Sequence, residues 1–195
     1  TNNCVYILTG DDDHECGIWK AIDNFSSVTE VLVGRQEYRC CQMLTTGENE
    51  GFYLSDTPSQ VNSLFFFSTE GTRRIIPISG TCIYGSRINK DLLFSTTVEP
   101  DARASSKIDY WLSSKPGKGV RDRSIYVHLL HNGEIFDVID FCHDGLPLRL
   151  FQYGTVYFSN SVNNIAFFSA TCVEKYDSYI YRFEDCVCND LGVNL

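Results

Sequence analysis

The sequence predicts an all-β fold, a disulfide-linked antiparallel β-sandwich in which residues 1–195 form a single domain, part of a longer surface protein. Three observations carry that expectation. Apolar residues recur with a period of two in short runs, turn-forming residues interrupt them about every ten positions, and nine cysteines are spread along the 195 residues. A chain of this length can bury one sizeable core, and its 43% hydrophobic and 13% aromatic content supplies the material.

The elements follow in order. Residues 28–33 (Val-Thr-Glu-Val-Leu-Val) read as a strand ended by Gly34. Residues 51–54 and 63–68 are short and aromatic-rich, as buried strands are. Residues 74–78 and 81–84 flank a Ser79-Gly80 turn, and 92–98 close at Glu99-Pro100. Residues 108–112 read as a short strand, which places Tyr110 and Trp111 on opposite faces. Residues 124–130 and 134–141 are separated by His131-Asn132-Gly133. Asn-Gly tolerates positive φ at both centres of a type I′ turn, so this is a hairpin. Runs at 147–152, 155–159, 165–169 and 179–183 complete the set. The one helical spacing is at 16–25, where Ile18, Trp19 and Ile22 lie between Gly17 and Asn24. The sequence displays no βαβ alternation and no internal repeat, and 113–119 reads as a long inter-strand loop.

The cysteines are Cys4, Cys16, Cys40, Cys41, Cys82, Cys142, Cys172, Cys186 and Cys188. None makes the C-x2-C pair usual in zinc sites, and dispersal of this kind points to disulfides in an oxidising compartment, the alternative being a reduced cytosolic protein with buried thiols. Three or four bridges are expected, each worth roughly 2–4 kcal/mol. Cys40 and Cys41 point to opposite faces of an extended segment, so one of them is the expected odd thiol. Cys186 and Cys188 share a face and could meet an adjacent strand, most simply at Cys172. Asn24-Phe25-Ser26 is a glycosylation acceptor, which fits the same compartment.

The net charge of -9 argues against nucleic acid as a partner, because phosphate binding needs a positive face. Residues 101–123 depart from that acidity. They hold six basic residues (Arg103, Lys107, Lys115, Lys118, Arg121, Arg123) against three acidic ones (Asp101, Asp109, Asp122), a net of +3. Tyr110 and Trp111 adjoin this loop and offer rings for stacking. No apolar window reaches the roughly 18–20 residues of a membrane span. No signal peptide is recognisable, and the start at Thr1 reads as a matured end or as a piece of a longer chain.

Catalytic signatures are missing: no nucleophile elbow, phosphate loop, zinc helix or calcium loop occurs. Asp11-Asp12-Asp13-His14-Glu15 reads as a solvated turn, not a cation site. His128, His131 and His143 lie near one edge, and Cys142-His143 invites a thiol-nucleophile reading. A catalytic cysteine needs its histidine placed by the fold, so a disulfide for Cys142 and surface histidines is preferred. The expectation is a non-enzyme with no cofactor and no metal.

The order of landmarks resembles a known family. Cys4 follows Thr-Asn-Asn, and Asp23-Asn24-Phe25-Ser26-Ser27 leads into Val28-Thr29-Glu30-Val31-Leu32-Val33-Gly34. Tyr38 then precedes Cys40, a polar loop enters Gly51-Phe52-Tyr53-Leu54, and Tyr179-Ile180-Tyr181 runs into Cys186-Val187-Cys188. This is similar to the N-terminal domain of coronavirus spike glycoproteins, in particular the outermost domain of alphacoronavirus spikes. The resemblance covers the first third and the last quarter of the chain. It implies a galectin-like sandwich on a virion surface, trimeric in a full-length parent, that attaches to a host sialoglycan or a cell-surface protein.

The expected function is therefore extracellular binding by Tyr110, Trp111, Lys115, Lys118, Arg121 and Arg123. The alternative is a secreted immune-evasion decoy that captures a basic cytokine or chemokine by charge. A hydrolase using His128 and His131 is the third reading.

Overall fold

The computed structural model describes residues 4–57, 60–101, 105–151 and 153–184. Among the described residues fourteen strands form four antiparallel sheets, each built from consecutive strands. The first holds β1 (Cys4–Thr9), β2 (Gly17–Ile22) and β3 (Ser27–Val33). The second holds β4 (Cys40–Thr45), β5 (Gly51–Ser55), β6 (Asn62–Ser68) and β7 (Gly71–Ile78). The third holds β8 (Gly85–Ile88), β9 (Asp91–Ser95), β10 (Ser124–His131) and β11 (Glu134–Cys142). The fourth holds β12 (Thr155–Phe158), β13 (Ile165–Thr171) and β14 (Ile180–Glu184).

These sheets stack face to face in chain order, joined by three hydrophobic clusters. Tyr6, Leu8 and Ile18 of the first sheet pack on Tyr53, Phe65 and Phe67 of the second. Leu44, Leu54 and Leu64 on the opposite face of the second sheet meet Leu92, Phe94 and Leu130 of the third. Leu93, Ile125 and Val127 then face Val156, Ala166 and Phe168 of the fourth. The strands β5, β6 and β9 of the two interior sheets are thus covered on both sides and need not alternate apolar with polar, whereas the outer strands β7 and β11 stay largely exposed. That is why 63–68 and 92–94 read as continuous apolar runs. Leu54, Leu64, Leu93 and Phe94 are fully buried, and each such side chain contributes roughly 1.5–3 kcal/mol by burial.

Local chemistry sets the turns. Asn132 and Gly133 hold φ of 50° and 83°, the type I′ geometry the sequence predicts between β10 and β11. Asn89 (φ 55°) opens the two-residue turn between β8 and β9, where Ile88 pairs with Asp91.

Several expectations are corrected. The all-β class stands, but the layers number four and successive meanders repeat, where the sequence showed no repeat. The strand pattern recurs while the residues do not, because each sheet faces different neighbours. Residues 16–25 are not a helix: they hold β2 and a turn in which Asp23, Asn24 and Phe25 all adopt positive φ. Ile18 and Ile22 are four apart, a spacing that a strand's period of two also satisfies. Residues 108–112 are not a strand. They lie in helix α1 (Lys107–Leu112), whose N-cap Ser106 accepts a hydrogen bond from the Asp109 amide at 3.1 Å. Likewise 147–152 contains the one-turn helix α2 (Leu148–Phe151). In the 81–84 run, Thr81 makes only an isolated bridge with Thr97.

The expected disulfides are absent among the described residues. Cys4, Cys16, Cys40, Cys41, Cys82, Cys142 and Cys172 are all free thiols, while Cys186 and Cys188 lie outside the described residues. Cys40 and Cys41 do face opposite ways, one buried against the first sheet and the other exposed. Cys172 hydrogen-bonds the Phe151 carbonyl at 3.3 Å, and is not joined to another thiol. Spacing along the chain carries no information on such distances.

Candidate functional site

Between the outer edges of the second and third sheets lies a cleft of about 290 Å³. It continues the seam in which Ile78 and Leu130 are buried, and is lined from β7 on one side and from β10 and β11 on the other. Ile76, Pro77, Ile78 and Ile135 form its apolar wall, and Ser79, Arg121, Tyr126, His128 and Asp137 supply polar groups.

A β-bulge builds the polar side. Pairing along β10 and β11 shifts between Val127 and His128, so that His128 stands opposite Asp137. Tyr126 and His128 share a face of β10, their rings stacked at 5.7 Å and 15°. His128 Nδ1 lies 2.8 Å from the Asp137 carboxylate. Burial pushes the His128 imidazole below its ordinary value, against the opposing pull of Asp137, so the ring is neutral at pH 7.

Arg121 supplies the cation. Its backbone amide donates to Ser79 Oγ at 2.8 Å, which ties the loop to the cleft wall, and its Nε is 3.7 Å from Asp122. The Tyr126 hydroxyl donates to the same Asp122 carboxylate at 2.7 Å. A guanidinium, a phenol, a neutral imidazole and a carboxylate therefore border one opening.

The other expected binding residues do not reach it. Tyr110 and Trp111 lie on α1, with their rings edge to face at 5.3 Å, and the Arg149 guanidinium covers the Tyr110 ring at 4.0 Å. Lys115 Nζ sits 3.8 Å from Asp101, and Arg123 donates to the Ser114 carbonyl and hydroxyl at 2.9 and 2.7 Å. Lys118 is exposed, and Arg103 falls outside the described residues. Asn24 is exposed on the β2–β3 turn, where a glycan acceptor is reachable. Sequence reasoning weighed His128 for an edge site but passed over Tyr126 and Asp137. The alternation that puts Tyr126 beside His128 was legible; the bulge that aligns Asp137 was not.

A second polar centre is buried beside the third sheet. Asp56, 4% exposed, accepts from Cys41 Sγ at 3.2 Å and lies 3.7 Å from Arg39 Nε through the same oxygen. Its other oxygen, and one oxygen of Glu99, are buried without a hydrogen-bond partner among the described residues. Burial, reinforced by the Asp56 charge, pushes the Glu99 carboxyl up to about 7. Loss of solvent around its sulfur, reinforced by Asp56, pushes the Cys41 thiol up to about 12; full burial raises Cys82, and partial desolvation with the Glu174 charge raises Cys142. These thiols hold their protons at pH 7, the opposite of what a nucleophilic cysteine needs. His143 is 1% exposed, and its Nδ1 accepts from the Gly145 amide at 3.0 Å. The Cys142 thiol instead donates to the His143 carbonyl at 3.7 Å.

Comparison with family models finds no match to this chain, and comparison with curated proteins finds none. Among the described residues no helix is long and apolar enough to cross a membrane, and none of their His, Cys, Asp and Glu side chains gather into a group able to hold a metal ion.

Proposed function

We propose that this chain is a binding module that takes a small carboxylated sugar in the cleft between β7 and β11. The observation that supports it is the placement of Arg121 beside the stacked Tyr126 and His128 rings, over an apolar wall. A guanidinium matches a carboxylate, aromatic faces and isoleucines take the C–H face of a ring, and Asp137 accepts hydroxyl donors. The opening is near the lower end of the roughly 300–1,000 Å³ usual for ligand sites, which suits one sugar unit. The extracellular, virion-surface setting and the galectin-like, sialoglycan-reading form of this proposal rest on the resemblance to spike domains. Among the described residues the seven cysteines are free thiols, so no disulfide there supports that setting.

The test is titration of the chain with sialyl-lactose, followed by NMR. Arg121→Ala is expected to weaken binding at least tenfold, since a charge-assisted contact is worth roughly 1.5–3 kcal/mol. Lys118→Ala should leave it unchanged. Binding that ignores Arg121, or no binding at millimolar ligand, refutes the proposal.

A further inference from the structure

The His128 ring is 9% exposed and lies between two other rings, Tyr126 at 5.7 Å and Phe94 at 5.2 Å. Its Nδ1 is 2.8 Å from Asp137, and a carboxylate only accepts, so Nδ1 carries the proton of the neutral ring. Asp137 is the ring's only hydrogen-bond partner among the described residues, which leaves the Nε2 lone pair unused at the cleft. The charged groups around the ring are few. Asp137 on β11 favours the imidazolium. Arg121 and Asp122 both meet the Tyr126 hydroxyl, and their opposite charges offset each other there. The facing residues of β7 (Ile76, Pro77 and Ile78) and of β9 (Phe94) carry no charge. With the cleft empty of anions, burial outweighs Asp137 and the ring stays neutral. A carboxylate seated on Arg121 would change that balance. It adds negative charge at the opening and occupies the guanidinium, and both effects favour the imidazolium.

We propose that His128 makes the cleft a proton-linked site, taking up a proton at Nε2 when a carboxylated ligand seats on Arg121, so that the ligand binds more tightly in acid. The inference rests on the reading of the cleft as a site for a carboxylated sugar. The proton comes from solvent, and no covalent bond forms or breaks in the ligand. The imidazolium then donates through Nδ1 to Asp137 and through Nε2 to the ligand. Linkage is reciprocal: the factor by which acid tightens binding equals the factor by which the ligand raises the proton affinity of the ring. The gain is complete below the titration of the free ring and is lost above that of the bound ring.

Calorimetric titration of the full chain with sialyl-lactose, from about pH 5.5 to about pH 8, tests this beside an NMR titration of the His128 ring with and without the sugar. The sugar's carboxylate stays ionised throughout, since carboxyl groups titrate near about 4. Affinity should rise at least about fivefold from the alkaline to the acid end, the lower limit of usual couplings. The ring should titrate at higher pH with sugar bound. His128→Gln should remove the dependence on pH. Glu99 titrates in the same range but does not line the cleft, so that variant separates the two groups. A dependence that survives His128→Gln, or an affinity that is flat or falls in acid, overturns the proposal. If His128→Gln fails to fold, the NMR titration of the unaltered chain decides, and a ring that titrates no higher with sugar bound overturns it. Binding that needs Arg121 yet fails these tests refutes the proton linkage alone. No binding at any pH refutes the sugar reading and the linkage with it.

Discussion

Replacing Glu99 by glutamine should change how stability depends on pH, and the sign follows from the burial. The Glu99 carboxyl is held at about 7 in the fold, against 4.5 for the free group, by desolvation first and by Asp56 second. The unfolded chain ionises this carboxyl near 4.5, while the fold retains the proton. A raised acid therefore costs nothing below about 4.5. Its penalty grows as pH rises from there to about 7 and continues no further above that. At about 1.36 kcal/mol per pH unit, the gap between the two values amounts to about 3 kcal/mol. The glutamine side chain carries no charge to bury and can still hydrogen-bond Thr81, the partner that pulls the Glu99 value down. Urea unfolding of the protein and of Glu99→Gln, followed by tryptophan fluorescence at about pH 4.5, 6, 7 and 8, reads the difference. The variant should match the protein at the acid end and exceed it by up to about 3 kcal/mol at the alkaline end. A gap that is the same at both ends of the range would refute the reasoning.

Other outcomes follow from single sites. Leu93→Ala removes a fully buried side chain between the third and fourth sheets, and should cost roughly 2–5 kcal/mol in urea unfolding. Gly133→Ala places a Cβ 2.8 Å from the Phe52 ring at a φ of 83°, so a loss of at least about 1 kcal/mol is expected in the same assay. Ser106→Ala removes the N-cap of α1 and should cost about 1 kcal/mol or less, because the helix is short and exposed. Alkylation under denaturing, non-reducing conditions should label all seven described cysteines; a disulfide-linked peptide among them in the mass spectrum would contradict the structure.

The elements differ in how far they could be read from the chain. The β10–β11 hairpin was legible because Asn132-Gly133 encodes its own turn, whatever surrounds it. Helix α1 was also encoded locally, in Ser106-Lys107-Ile108-Asp109, a capping pattern that outweighs the β-forming Ile-x-Tyr-Trp run beside it. Strand β2 was missed because Ile18 and Ile22 fit either period, and only the packing of Ile18 on the second sheet decides between them. Arg121 could not be picked out from its companions in the basic loop, since each of the described ones differs only in where the fold leaves its side chain.

The sequence by itself determined the strand class, the positions of the tight turns and the acidic balance, because period and turn chemistry act over a few residues. Tertiary structure alone decided the rest: which of the four sheets face one another, seven described thiols left apart, and Arg121 brought to Tyr126, His128 and Asp137. Those outcomes depend on which faces meet across tens of residues. A strand that is apolar on both sides signals that it is buried on both, without naming what buries it.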